Sequence, residues 1–244
     1  MTPNEAFGRV VTAATAVALA VGTVLGAAVG TAGSGRPTTE SYRLETRDST
    51  LNHIAVIGDS YTTGTDEGGR GANSWTVEAW QLLAREGVQV AADVAAEGGA
   101  GYGVPGNRGS VFEDLTERAV RPDDVLVVFF GSRNDQPVDP RAFPGVAADT
   151  FRVARQAAPK ARFLVIGPPW PTANPPAAVW QIRDSLRDQA VALGAVFVDP
   201  LAEGWFVGRP DLIGADGVHP NDAGHAYLAE KIAPLIRSQL TVAV

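Results

Sequence analysis

The chain contains no cysteine, so disulfides, thiolate metal sites and thiol nucleophiles are excluded at the outset. Histidine is scarce as well. The three present, His53, His219 and His225, show no paired ligand spacing, and the acids around Asp216 lack the alternation of a calcium loop, so neither a metal nor another cofactor is expected. Lysine occurs only at positions 160 and 231, and the 20 basic residues are outnumbered by 27 acidic ones. A formal charge of -7 leaves no basic stripe to follow a phosphate backbone, which argues against nucleic acid and against binding to an anionic membrane surface through cationic residues.

Charge is missing locally too. From Val10 to Ala32, behind Arg9, the chain carries no ionisable side chain and consists of Ala, Val, Gly, Thr and two Leu. Such a run reads as a signal peptide or an N-terminal membrane anchor: it is long enough to span a bilayer, yet it ends in small residues that suit signal-peptidase cleavage. Either way the remainder is expected to be exported, secreted or held on the outer face of the cytoplasmic membrane. Residues 33–52 are polar, rich in Ser, Thr, Gly and Arg, and read as a linker, which leaves 53–244 as one folded domain.

Within that domain short apolar runs alternate with helical patterns. Strands are expected at Ile54–Ile57, Val88–Val94, Val125–Phe130, Phe163–Ile166 and Val196–Val198. Apolar stripes mark the helices between them: Trp75, Ala79, Leu82 and Leu83; Val146, Thr150, Val153, Ala154 and Ala157; Val179, Ile182, Leu186, Ala190 and Leu193. A final helix is expected to start at Pro220 and to bury Leu228, Ile232, Leu235 and Ile236. The alternation predicts an α/β three-layer sandwich around a flavodoxin-like, five-stranded parallel sheet of order 2-1-3-4-5.

Two strings at opposite ends of the domain carry candidate chemistry. Gly58-Asp59-Ser60 follows the first strand, and Asp216-Gly217-Val218-His219-Pro220 precedes the last helix. A serine hydroxyl needs a base to take its proton and a third group to orient that base, and Ser60, His219 and Asp216 can fill those roles. Asp59, adjacent to the serine, is expected to brace the turn instead. A developing oxyanion also needs donors. Glu97-Gly98-Gly99-Ala100-Gly101 and Gly131-Ser132-Arg133-Asn134-Asp135 follow the second and third strands, and they offer a glycine N–H, preferably that of Gly99, and the Asn134 side-chain amide beside the Ser60 N–H. Gly98 and Gly101 compete with Gly99. Trp170 and Trp205 are candidates for the pocket wall or, equally, for satellite core under long loops. The Gly-rich stretch 64–71 reads as a solvated loop or a lid.

These four segments resemble the blocks of the SGNH, or GDSL-like, hydrolase superfamily, which carry Ser, Gly, Asn and His in this order. The resemblance spans roughly His53 to Leu240 and implies a serine ester hydrolase with Ser60 as nucleophile, Asp216 and His219 completing the triad, and Ser60, Gly99 and Asn134 forming the oxyanion hole. Two departures stand out. The usual Gly-x-Asn-Asp block is one residue longer here, with Ser132 and Arg133 between Gly131 and Asn134, and Tyr61 replaces the leucine after the serine. The implied partner is a small-molecule, glycan or lipid ester. An envelope O-acyltransferase using the same triad, or a non-catalytic envelope-binding module, is the alternative.

Overall fold

The computed structural model describes residues 51–240. The signal peptide or anchor expected over 1–32, and the linker up to residue 50, lie outside the described residues. Among those described, no helix is long and apolar enough to cross a membrane.

Five parallel strands form one sheet in the order β2-β1-β3-β4-β5. They are β1 (Asn52–Gly58), β2 (Val90–Ala96), β3 (Leu126–Phe130), β4 (Arg162–Ile166) and β5 (Val196–Val198). Helices α1 (Ser60–Thr63), α2 (Trp75–Arg85), α3 (Phe112–Ala119), α4 (Phe143–Ala157), α5 (Ala177–Leu193) and α6 (Asp222–Leu240) fill the connections. A sheet covered on both faces must be apolar on both. Every residue of β3 is buried, and its side chains alternate between two cores. Val127 and Phe129 join Ala55, Ile57 and Phe163 beneath α3, α4 and α5. Leu126, Val128 and Phe130 join Ile54, Val56 and Leu164 against α2 and α6. Each large apolar side chain enclosed this way contributes about 1.5–3 kcal/mol.

The architecture and strand order match expectation, and the differences have local causes. The edge strand β2 lies two residues later than Val88–Val94, because its partly exposed, alanine-rich sequence provides no continuous apolar run to mark its bounds. Asn52, assigned to the linker, opens β1. Helix α3 was not anticipated: its eight residues include four charged ones, and only Phe112, Leu115, Thr116 and Ala119 are buried. Helix α6 begins at Asp222 rather than Pro220. Pro220 instead bridges to Ile213, while Asn221 accepts a hydrogen bond from Gly224 N–H (2.9 Å), an N-terminal cap that sets the start two residues later.

Parallel pairing aligns three strand ends. Gly58 is the register partner of Ala96 on one side and Phe130 on the other, so the segments that follow β1, β2 and β3 emerge together at the carboxyl edge of the sheet.

Candidate active site

At that edge β1 turns sharply into the single turn of α1. Asp59 caps it, its Oδ1 accepting from Tyr61 N–H at 2.9 Å, and Ser60 is the first helical residue. Gly58 is required for this close turn, since a Cβ there would lie 2.2 Å from Thr62 Oγ1. Ser60 is only 6 % exposed. As the first residue of a helix it also has an N–H with no intrahelical acceptor.

The loop before α6 brings His219 to Ser60. His219 Nε2 lies 3.0 Å from Ser60 Oγ, and His219 Nδ1 lies 2.5 Å from Asp216 Oδ2. This arrangement suits an imidazole that donates Nδ1–H to the carboxylate and accepts the serine hydroxyl at Nε2. Asp216 Oδ1 accepts from the backbone N–H groups of Val218 (2.8 Å) and His219 (2.9 Å). Burial acts to raise the Asp216 carboxyl, but the bonds from the His219 ring and these two N–H groups prevail and hold it at about 2. The loop is tied down at three further points: Tyr61 donates its hydroxyl to Val218 O (2.5 Å), Ala215 N–H donates to Glu67 Oε2 (2.6 Å), and Gly214 N–H donates to His219 O (2.8 Å).

The second and third segments are locked together. Asp135 accepts from the N–H groups of Tyr102 (2.8 Å), Gly103 (2.8 Å) and Val104 (3.0 Å) and from the Ser132 hydroxyl, so this buried acid is the joint between the two loops. Gly101 N–H donates to Val104 O at 2.8 Å, which removes it from the competition for an oxyanion. Gly99, at φ +79°, lines the same cleft as Ser60 and His219, as does Gly98. Asn134 Nδ2 donates to Ala100 O (2.8 Å) and reaches Asp59 Oδ2 at 3.3 Å. Burial pushes the Asp59 carboxyl up to about 7, against the opposing Tyr61 N–H and Arg133 charge.

Both tryptophans lie elsewhere. Trp205 is 2 % exposed, packs with Phe130 in the core beside α6 and donates its indole N–H to Glu203 (2.7 Å), so it belongs to the core and not to the substrate wall. Trp170 lies under the Arg133 guanidinium, 4.2 Å from its ring centroid, and does not line the cleft. Stretch 64–71 is neither free nor fully solvated. Gly69 N–H donates to Asp222 Oδ1 (2.8 Å), and Gly69 packs against buried His225, whose Nδ1 accepts from Trp75 N–H (3.3 Å).

The cleft itself, about 620 Å³, has one wall from residues 63–66 and Arg70 and another from residues 97–99, Asn107 and Arg108. Asn107 and Arg108 were not singled out from sequence. Their only signal was the glycine-bracketed Gly106-Asn107-Arg108-Gly109 turn, whose place beside Ser60 is a tertiary fact. Among the described residues no group of three or more His, Asp or Glu side chains is placed to hold a metal ion.

The GDSL-like lipase/acylhydrolase family model matches residues 56–227, a span containing every segment just described. The chain belongs to this family. It is accordingly an SGNH-type ester hydrolase. Among its GDSL relatives it is 64 % identical, over 220 residues, to the GDSL lipase Rv0518 of Mycobacterium tuberculosis, covering 89 % of this chain and 94 % of that one. The fold is similar to a family two carbohydrate esterase from Clostridium thermocellum solved with cellohexaose (TM-score 0.61, 18 % identity, 78 % of this chain and 64 % of that one). It is likewise similar to phospholipase A1 from Streptomyces albidoflavus (TM-score 0.55, 17 % identity, 78 % and 99 %).

Proposed function

We propose that the enzyme cleaves a carboxylic ester of a carbohydrate or lipid through an acyl-enzyme on Ser60. The observation that carries this reading is the unbroken line from Asp216 through His219 to the Ser60 hydroxyl, with contacts of 2.5 and 3.0 Å. As Ser60 Oγ attacks the ester carbonyl, its proton passes to His219 Nε2, and the imidazolium that forms is stabilised by Asp216. The negative charge on the carbonyl oxygen is met by the N–H groups of Ser60 and Gly99 and by Asn134 Nδ2, whose 3.3 Å contact to Asp59 is long enough for an oxyanion to displace. Collapse breaks the bond to the alcohol oxygen, which leaves with the proton from His219. Water then repeats the sequence: it loses a proton to His219, attacks the acyl carbonyl, and Ser60 Oγ leaves reprotonated. Family membership among lipases and acylhydrolases supports water as the acceptor over a second alcohol. The uncharged run Val10–Ala32 supports an enzyme that works outside the cytoplasm.

Steady-state turnover of 4-nitrophenyl acetate tests the assignment. Ser60→Ala is expected to lower kcat by on the order of 10⁴-fold or more without changing the melting temperature appreciably. Retention of most activity in a folded variant would overturn it.

A further inference from the structure

We propose that Asn107 and Arg108 form the subsite for the alcohol half of the ester, and that this half is a neutral, hydroxylated group such as a sugar or polyol. The inference rests on the reading of Ser60 as nucleophile and adds the class of alcohol.

The walls of the cleft exclude the alternatives. No Phe, Tyr, Trp, Leu, Ile, Val, Met or Ala side chain lines it, so a long hydrocarbon chain placed there would find little apolar surface to cover. Its formal charges cancel, with Arg70 and Arg108 opposed by Asp66 and Glu97, and Arg70 is tied to Asp66 at 2.7 Å. An anionic headgroup would therefore meet no net positive field. What the walls do offer is amide, guanidinium and hydroxyl groups, the partners of alcohol hydroxyls.

Asn107 and Arg108 are held for such a role. Glu97, buried at the end of β2, accepts from Arg108 N–H (2.5 Å) and Ser110 N–H (3.2 Å). Asn107 N–H donates to Gly98 O (2.9 Å), and Gly106 N–H donates to Ser110 O (2.9 Å). These bonds fix the loop while both side chains remain exposed to the cleft. The Asn107 amide lies over the glycine pair: a Cβ on Gly98 would be 3.1 Å from its Nδ2, and one on Gly99 3.4 Å from its Oδ1. The Arg108 side chain feels the charge of Glu97 and reaches the cleft edge, where its N–H groups face solvent. A loop fixed before binding also reduces the entropy lost when a flexible polyol is held.

The test compares two acetate esters, 6-O-acetylglucose and butyl acetate, which share the acyl group and differ only in the alcohol. The wild type is expected to favour the sugar ester in kcat/KM by about tenfold or more, and Asn107→Ala and Arg108→Ala are each expected to reduce that ratio by about fivefold to tenfold. The two variants are made separately, so that misfolding of one leaves the other to decide. A wild type that prefers butyl acetate, or a ratio unchanged in the folded variants, overturns the subsite. Ser60→Ala in the same assay distinguishes the two levels: if turnover survives there, the nucleophile reading falls and this inference falls with it.

Discussion

Ser60 leaves a strand whose residues from Ile54 to Ile57 are wholly enclosed, whereas the side chains of Asp216 and His219 sit in a loop where they keep 35 % and 25 % exposure. The nucleophile half of the site is therefore positioned by the core: two strand neighbours fix the end of β1, and the chain has little freedom beyond Gly58. The histidine half has no such enclosure and is held by discrete hydrogen bonds: Tyr61 donates to Val218 O, Glu67 accepts from Ala215 N–H, and Asp216 accepts from His219 N–H. Damage to the first half should show as lost transition-state stabilisation or lost fold, and damage to the second as a graded loss of alignment.

The largest effect short of removing the nucleophile belongs to the sheet-edge half. Asn134→Ala is expected to lower kcat by on the order of 10²–10³-fold with little change in KM, because the amide acts on charge that develops only in the transition state. Parallel losses in both constants would show that Asn134 merely shapes the loop.

The two halves also contain oppositely perturbed buried acids and bases, and pH separates them. Burial raises Asp59, beside Ser60, from 3.8 to about 7, so the folded state binds more protons than the unfolded one and stability falls as pH rises across that window. Burial lowers His225, under the loop at residues 68–69, from 6.5 to about 4, so the unfolded state binds more protons there and stability rises with pH between those values. Relative to the wild type, Asp59→Asn should gain about 4 kcal/mol of unfolding free energy between pH 4 and 7, and His225→Gln should lose about 3 kcal/mol between pH 4 and 6.5. Denaturant unfolding across this range checks both signs, and variant curves parallel to the wild type would contradict them.

Much of this molecule was legible from residue order. Val125–Phe130 reads as a strand because its apolar run is continuous, and the structure forms it over Leu126–Phe130, while Gly58-Asp59-Ser60 with Asp216-Gly217-Val218-His219 marks two ends of one constellation. What escaped depends on which segments meet. Trp205 follows β5 in sequence, as a pocket residue would, yet the core beside Phe130 has room for its indole and Glu203 satisfies its N–H. Asn107 reaches the cleft only because Glu97 closes its loop, and no periodicity announces such a contact. Tyr61 is the subtlest case. It stands where the family has a leucine, and its hydroxyl bonds the carbonyl preceding His219, something a leucine cannot do.

That bond supplies the smallest predicted effect. Tyr61→Phe is expected to lower kcat about tenfold with KM unchanged, the consequence of losing one hydrogen bond that aligns the base. An unaltered kcat would show that the loop is held without it.

The account depends on Ser60 being the residue that becomes covalently bound. Intact mass spectrometry after treatment with a fluorophosphonate, followed by peptide mapping, measures this directly. The predicted result is a single adduct on Ser60 in the wild type and none in Ser60→Ala; a folded wild type that stays unlabelled, or an adduct that persists in Ser60→Ala, would contradict it.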